Sequence, residues 1–216
     1  MTQATARPHD TLVHSYLFLR RAIGVIGVAL PFVLVLGKVL VDGGGLLNSI
    51  SGYYHTDMRD VFVGAMVATG VFLLSYRGYD RLDEITGDIA AVAAVGLAVC
   101  PVAPADPTGT DRLLGTLHLV FAATFFLALA FFCLVLFTRT DKTDPTARKA
   151  QRNFVYVFTG WTIVICLVLI VVCGAFLSAE VASLHPALWL EAIAVLAFGF
   201  AWLTKGEAIL RDLPQD

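Results

Sequence analysis

The sequence predicts an all-α, polytopic membrane bundle of six transmembrane helices with both termini in the cytoplasm. Six long apolar stretches run through the 216 residues. Hydrophobic residues make up 58% of the chain and charged residues 15%, with a mean hydropathy of +0.79. A soluble domain carries about 25% charged residues, and a chain this short keeps too much wet surface for a buried core to absorb the excess. The basic residues between the stretches fall on alternate sides, as they do when a chain is threaded back and forth through a bilayer.

A membrane helix needs roughly 20 apolar residues. The first span is read at residues 22–41, with Pro31 as a kink and a short interfacial helix at 12–19 ahead of it. A long polar lead and the lack of a small-x-small cleavage site mark it as a retained anchor, not a cleaved signal. The second span is read at 61–76. The third, at 89–103, is short and rich in alanine. The fourth lies at 113–137, the fifth at 154–177 and the sixth at 187–204, all within a single domain. Continuous runs without alternation favour helices, and an open sheet would leave its backbone unsatisfied in lipid.

Charge sets the orientation. Twelve basic residues lie on one side: Arg7, Arg20, Arg21, Arg77, Arg81, Arg139, Lys142, Arg148, Lys149, Arg152, Lys205 and Arg211. The other side carries only Lys38, Arg59 and Arg112. Basic loops stay in the cytoplasm, so in a cell inner membrane both termini face inward. The connection at 139–153 is the most basic. It reads as a topology determinant, with an anionic-lipid or partner docking patch as the alternative. The inner side also holds Asp80, Asp83, Glu84, Asp88 and Glu207, which read with the nearby cations as a salt-bridge rim. Nothing points to nucleic acid, for which a basic domain with interleaved aromatics would be needed.

Depth then sorts the polar side chains. The connection between spans one and two carries His55, Asp57, Arg59 and Asp60 on the outer side. Span four enters from that side with Arg112 at its start and His118 further in, where a histidine is more often a buried hydrogen-bond partner than a metal ligand. Span six enters there with Glu191 about one turn inside. Ionisable groups within spans are costly and face the bundle interior, so these seven residues are the candidates for one outer pocket. Glu191 is expected to meet Arg59, Arg112 or His118. Asp57 and Asp60 also have a structural reading, with Asp57 as the N-cap of span two and Asp60 in its first turn. Asp111 is likewise read as the cap of span four, and His185, before Pro186, as a helix-entry residue.

Other motifs are negative. Residues 43–45 are glycines with no Gly-Lys-Ser/Thr to make a phosphate loop. Cys100, Cys133, Cys166 and Cys173 form no C-x-x-C pair, although Cys100 and Cys173 both approach the outer side and leave a disulfide open. Lys205 lies at the cytoplasmic end of span six, beside Gly206, which argues against a Schiff-base role.

Three segments together resemble a group of small bacterial polytopic membrane proteins of unknown function. They are residues 49–64 (Ser-Ile-Ser-Gly-Tyr-Tyr-His-Thr-Asp-Met-Arg-Asp-Val-Phe-Val-Gly), 76–80 (Tyr-Arg-Gly-Tyr-Asp) and 189–206 (Trp-Leu-Glu-Ala-Ile-Ala-Val-Leu-Ala-Phe-Gly-Phe-Ala-Trp-Leu-Thr-Lys-Gly). The resemblance implies an inner-membrane protein and brings no activity. Ser, His and Asp near helix ends also resemble the alkaline-ceramidase and adiponectin-receptor type of membrane hydrolase. Span six here has no histidine, so no catalytic residue carries over.

The expected function is a membrane protein that binds a lipid or small ligand in the outer pocket. One alternative is a metal-dependent hydrolase, in which His55, Asp60, His118 and Glu191 would hold a zinc ion that activates water. A second is a small transporter acting as a dimer, a homo-oligomer of this chain.

Overall fold

The computed structural model describes residues 8–78, 80–140, 146–176 and 181–211, with only the backbone for 8–15 and 182. Arg7 and Lys142, counted above, lie outside the described residues. Six long helices make up the fold: α1 (Pro8–Val41), α2 (Arg59–Leu74), α3 (Arg81–Val99), α4 (Gly109–Phe131), α5 (Ala147–Phe176) and α6 (Pro186–Lys205). No strand occurs among the described residues.

Four helical stretches are long and apolar enough to cross a membrane: Tyr16–Val41, Gly109–Leu136, Ala147–Phe176 and Pro186–Lys205. The other two helices fall short of that measure. α2 has 16 residues, which at 1.5 Å each reach about 24 Å, against a hydrocarbon core of about 30 Å. α3 has 19 residues, but its first turns hold Asp83, Glu84 and Asp88.

Several boundaries differ from the sequence reading, among them the start of α5, seven residues before the expected span. The expected interfacial helix at 12–19 is the first part of α1, which runs unbroken through Pro31. α3 begins eight residues before the expected span because Asp80 caps it, accepting bonds from the amides of Leu82 at 3.0 Å and Asp83 at 3.2 Å. The Asp83 amide, helped by Arg139 and the Leu82 amide, holds the Asp80 carboxyl below its usual range. A carboxylate at a helix N-terminus is stabilised by the exposed N–H groups and the helix dipole. α4 ends in a π turn, Phe132–Leu136, in which the Phe137 amide bonds the Phe132 carbonyl at 2.8 Å.

Each helix packs against its neighbours in sequence, and α1 closes the ring against α6. Small residues make that closure. A Cβ added at Gly199 would stand 2.7 Å from the Val28 amide nitrogen and 2.9 Å from the Gly24 carbonyl oxygen. One added at Gly27 would stand 3.0 Å from the Gly199 Cα. Between helices in lipid there is little hydrophobic drive, so close backbone approach supplies the attraction. The alanine-rich stretch has the same cause. Ala90, Ala91, Ala93 and Ala94 are buried, Gly70 of α2 lies against the Ala91 carbonyl, and Phe121 of α4 fills the space over Gly96.

The core is richest in aromatic side chains at one end of the ring. Trp202 is fully buried, with the rings of Tyr76 at 5.1 Å, Phe137 at 5.3 Å, Phe132 at 5.7 Å and Phe198 at 6.0 Å. Most of these pairs are edge-to-face, the arrangement the ring quadrupole favours. The start of α1 meets the end of α6 at this end. There Arg21 Nε donates to the Gly206 carbonyl at 2.7 Å, and Arg20 Nη1 to the Lys205 carbonyl at 3.4 Å. Cations suit a helix C-terminus, whose last carbonyls lack intrahelical donors.

The α1–α6 contact predicts a sharp difference between two glycines. Gly199→Ala should destabilise the protein by about 1–3 kcal/mol, as overpacking does. Gly64→Ala, at an exposed position inside α2 where an added methyl meets nothing within 4 Å, should raise stability by about 0.5–1 kcal/mol through helix propensity. Thermal melting of both variants in one detergent measures the contrast, and equal melting temperatures would contradict it.

Candidate functional site

The connection from α1 to α2 lies across the other end of the ring. Its glycines Gly43 and Gly44 take positive φ angles of 69° and 80°, which only glycine adopts without strain. They turn the chain back toward the bundle. A short 3-10 helix, Ser51–His55, follows. Ile50, Tyr53 and Met58 from this segment are buried, with Tyr53 fully so. Burial lifts the Tyr53 hydroxyl above its ordinary range, against a bond from the Leu47 backbone. Met58 sits over Gly37 of α1, in space that any side chain there would take.

Hydrogen bonds tie this inserted segment to three other parts of the chain. Glu191 of α6 accepts from the amides of Ile50 at 2.8 Å and Ser51 at 3.2 Å, at the start of the 3-10 turn. The His185 imidazole bonds the Asn48 side-chain carbonyl at 2.8 Å. The His55 Nε2 donates to the Val102 carbonyl, in the α3–α4 connection, at 2.7 Å. A fourth bond lies alongside. The buried His118 donates through Nδ1 to the carbonyl of Cys100, the residue that ends α3, at 2.7 Å.

The seven candidates therefore divide. His55, Asp57, Arg59 and Asp60 line one open hollow of about 550 Å³, together with Asp42, Tyr54 and Thr56. Arg112 is exposed on the first turn of α4, and His118 and Glu191 are spent on backbone groups; none of the three lines the hollow. The expected meeting of Glu191 with Arg59, Arg112 or His118 is replaced by its bonds to the two amides. Arg59 instead lies 3.5 Å from its neighbour Asp60, with both side chains exposed. Among the described residues, no three His, Cys, Asp or Glu side chains come together as a metal-binding group. The zinc set of His55, Asp60, His118 and Glu191 is not assembled.

Capping also differs from expectation. Met58 holds the N-cap position of α2 and makes no side-chain cap bond. Asp57 turns away, and its carboxyl bonds to that of Asp42, which pushes the Asp57 pKa up. Asp60 does stand in the first turn of α2. The N-cap of α4 is Thr108, with Asp111 three residues on completing a reciprocal capping box. His185 precedes Pro186 as read, in the left-handed region at φ 48°. All four cysteines are free thiols, so Cys100 and Cys173 are not joined.

Sequence reasoning named Asp57 but missed its partner, Asp42. The signal was faint, since fourteen residues of loop separate the two acids. Asn48 was missed for a similar reason.

The fold is that of a helical protein with four helical stretches suited to cross a membrane. Compared with known families, characterised proteins and solved structures, the chain matches none of them.

The Glu191 carboxylate is predicted to hold the inserted segment in place. Glu191→Ala strands two amides and should cost about 1–3 kcal/mol. Glu191→Gln, which keeps an acceptor, should cost less than half of that. Melting in detergent and the rate of proteolysis in the 42–58 segment measure both. An alanine variant as stable and as protease-resistant as the native chain would contradict the role.

Proposed function

We propose that this chain is a six-span bacterial inner-membrane protein with cytoplasmic termini that binds a small cationic ligand in the hollow beside the inserted segment. The ligand chemistry is an ammonium group, free or carried on a lipid headgroup. The hollow carries the reading: it gathers Asp42, Asp57 and Asp60 against the single guanidinium of Arg59, with the Tyr54 ring and the His55 imidazole beside them. Carboxylates and an aromatic face are the groups that hold an ammonium ion. The Asp42 carboxyl beside Asp57 disfavours the ionised form of Asp57, and an arriving cation would favour it.

The orientation draws support from the clustering of cations. Arg20, Arg21, Arg139, Lys149 and Lys205 all bond or stack at the end of the ring where α1 starts and α6 finishes. That is the cytoplasmic end by the basic-loop rule. We read α2 and α3, which pack between α1 and α4 in the ring, as the two remaining spans. The hollow then faces outward. Metal-dependent hydrolysis has no observation in its favour, because among the described residues the donors a metal would need are apart.

Two measurements test the proposal. Reporter fusions at both termini and in the 103–111 connection should give cytoplasmic signals from the termini and an external signal from the connection; a periplasmic signal from either terminus would sink the orientation. Ethanolamine and choline should bind the purified protein, and Asp57→Asn should weaken that binding at least fivefold. The cation is held by the ionised Asp57, whose pKa is raised. Affinity should therefore be full at neutral pH and fall away as the pH drops through that raised value. Binding that does not change with pH, or that survives the substitution, would remove Asp57 from the site.

A further inference from the structure

The groups that line the hollow beside the inserted segment differ in what they leave for a ligand. Asp60 is offset by Arg59, whose Nε lies 3.5 Å from its carboxylate. Asp42 and Asp57 stand together on the same wall. Among the described residues neither of these two forms an ion pair. The Lys38 ammonium, one turn before Asp42, is turned to the Gly43 carbonyl at 2.9 Å. A cation entering the hollow therefore finds the carboxylate oxygens of Asp42 and Asp57 open to it.

His55 adds an acceptor of another kind. Its Nε2 lies 2.7 Å from the Val102 carbonyl oxygen. A carbonyl only accepts, so Nε2 carries the hydrogen, and the neutral ring keeps its lone pair on Nδ1. The bond to the α3–α4 connection thus fixes the tautomer. Among the described residues Nδ1 has no hydrogen-bond partner. Asp111 stands near the imidazole, but its carboxylate is closed into the capping box with Thr108. The Tyr54 ring meets the imidazole edge-on, with 5.4 Å between centres and 72° between planes. These two rings are the whole aromatic lining of the hollow.

We infer that the hollow selects a primary ammonium over a quaternary one, with Asp42, Asp57 and His55 Nδ1 accepting its three N–H bonds. The selection rests on the cation-binding reading and specifies its ligand. A primary ammonium carries three donors and no acceptor, and its bonds to carboxylates are the strong, charge-assisted kind. A quaternary ammonium has no N–H to give. It is held by aromatic faces that surround it, and one tyrosine set edge-on to an imidazole does not surround anything. Its methyl groups would also keep its charge further from the carboxylate oxygens. A free amine and an amine borne on a lipid headgroup share this chemistry.

The full chain in a neutral detergent is titrated with ethanolamine, its N-methyl and N,N-dimethyl forms and choline by calorimetry. Phosphatidylethanolamine and phosphatidylcholine are compared by native mass spectrometry. Each methyl removes a donor and leaves the charge. Affinity should fall at every step, by about tenfold or more from ethanolamine to choline, as the loss of charge-assisted hydrogen bonds entails. His55→Phe keeps a ring against Tyr54 and removes the acceptor. It should lose most of that preference while binding choline as the native chain does. His55→Gln, whose amide can donate to the Val102 carbonyl and still offer an oxygen, should restore part of the preference. Retention of phosphatidylethanolamine over phosphatidylcholine, with displacement by ethanolamine, would support the selection with a lipid as the source. A preference among the free amines without one between the lipids would support it with a free amine. Equal affinity for all four amines would overturn the inference and leave the cation-binding reading standing, and so would a folded His55→Phe variant with the native preference. Failure of every amine to bind would overturn the cation-binding reading itself, and the selection with it.

Discussion

The contact between α1 and α6 is the constraint on which the rest of this structure depends. These two helices come from opposite ends of the chain, and only their meeting turns a row of six helices into a ring. Gly24, Gly27 and Gly199 let the two backbones approach where side chains would hold them apart. The approach also sets the height of one helix against the other, because Arg20 and Arg21 must reach the last carbonyls of α6. With the ring closed, Trp202 is enclosed by Tyr76, Phe132, Phe137 and Phe198. Every long-range feature at the two ends is then hung from a fixed frame.

The ends are built in opposite ways. At one, charged and polar side chains bind the backbone: Glu191 holds two amides, and His55 and His118 hold carbonyls. A buried peptide group without a partner is expensive, and these bonds provide partners for a segment too irregular to satisfy itself. At the other end, cations rest on rings and on helix-terminal carbonyls. The first arrangement is a closure and the second is a collection of charge. The open hollow beside the closure belongs to neither, since its acids face solvent and one another.

Much of the fold was legible in the sequence because hydropathy is a property of side chains. The helices α4 and α6 could be read to within a few residues, while α5 starts seven residues before the expected span because its first turns are polar. α3 was misread at its start because Asp83, Glu84 and Asp88 look like a loop when helix is judged by apolarity; its true signal was the cap at Asp80. The site was legible in the same uneven way. His55, Asp57, Arg59 and Asp60 are neighbours in sequence and stayed neighbours in space. His118 is the buried hydrogen-bond partner that such a histidine is expected to be, and Glu191 bonds amides where a cationic or histidine partner was expected. Their partners are peptide groups, which every residue has and no letter of the sequence advertises. A search for complementary side chains therefore pairs such residues with one another.

The π turn that ends α4 has a consequence for how this chain can vary. It winds one surplus residue into the helix, and what it specifies is length more than side-chain identity. Loss of a single residue between 132 and 136 would take out that surplus and restore ordinary winding, with the residues beyond it keeping their facing. Gain of one would find no such slack and would turn everything beyond it by about 100°. Phe137 would then swing off the Trp202 ring, and its carbonyl would leave the Lys149 ammonium. The turn should therefore tolerate a shorter count far better than a longer one.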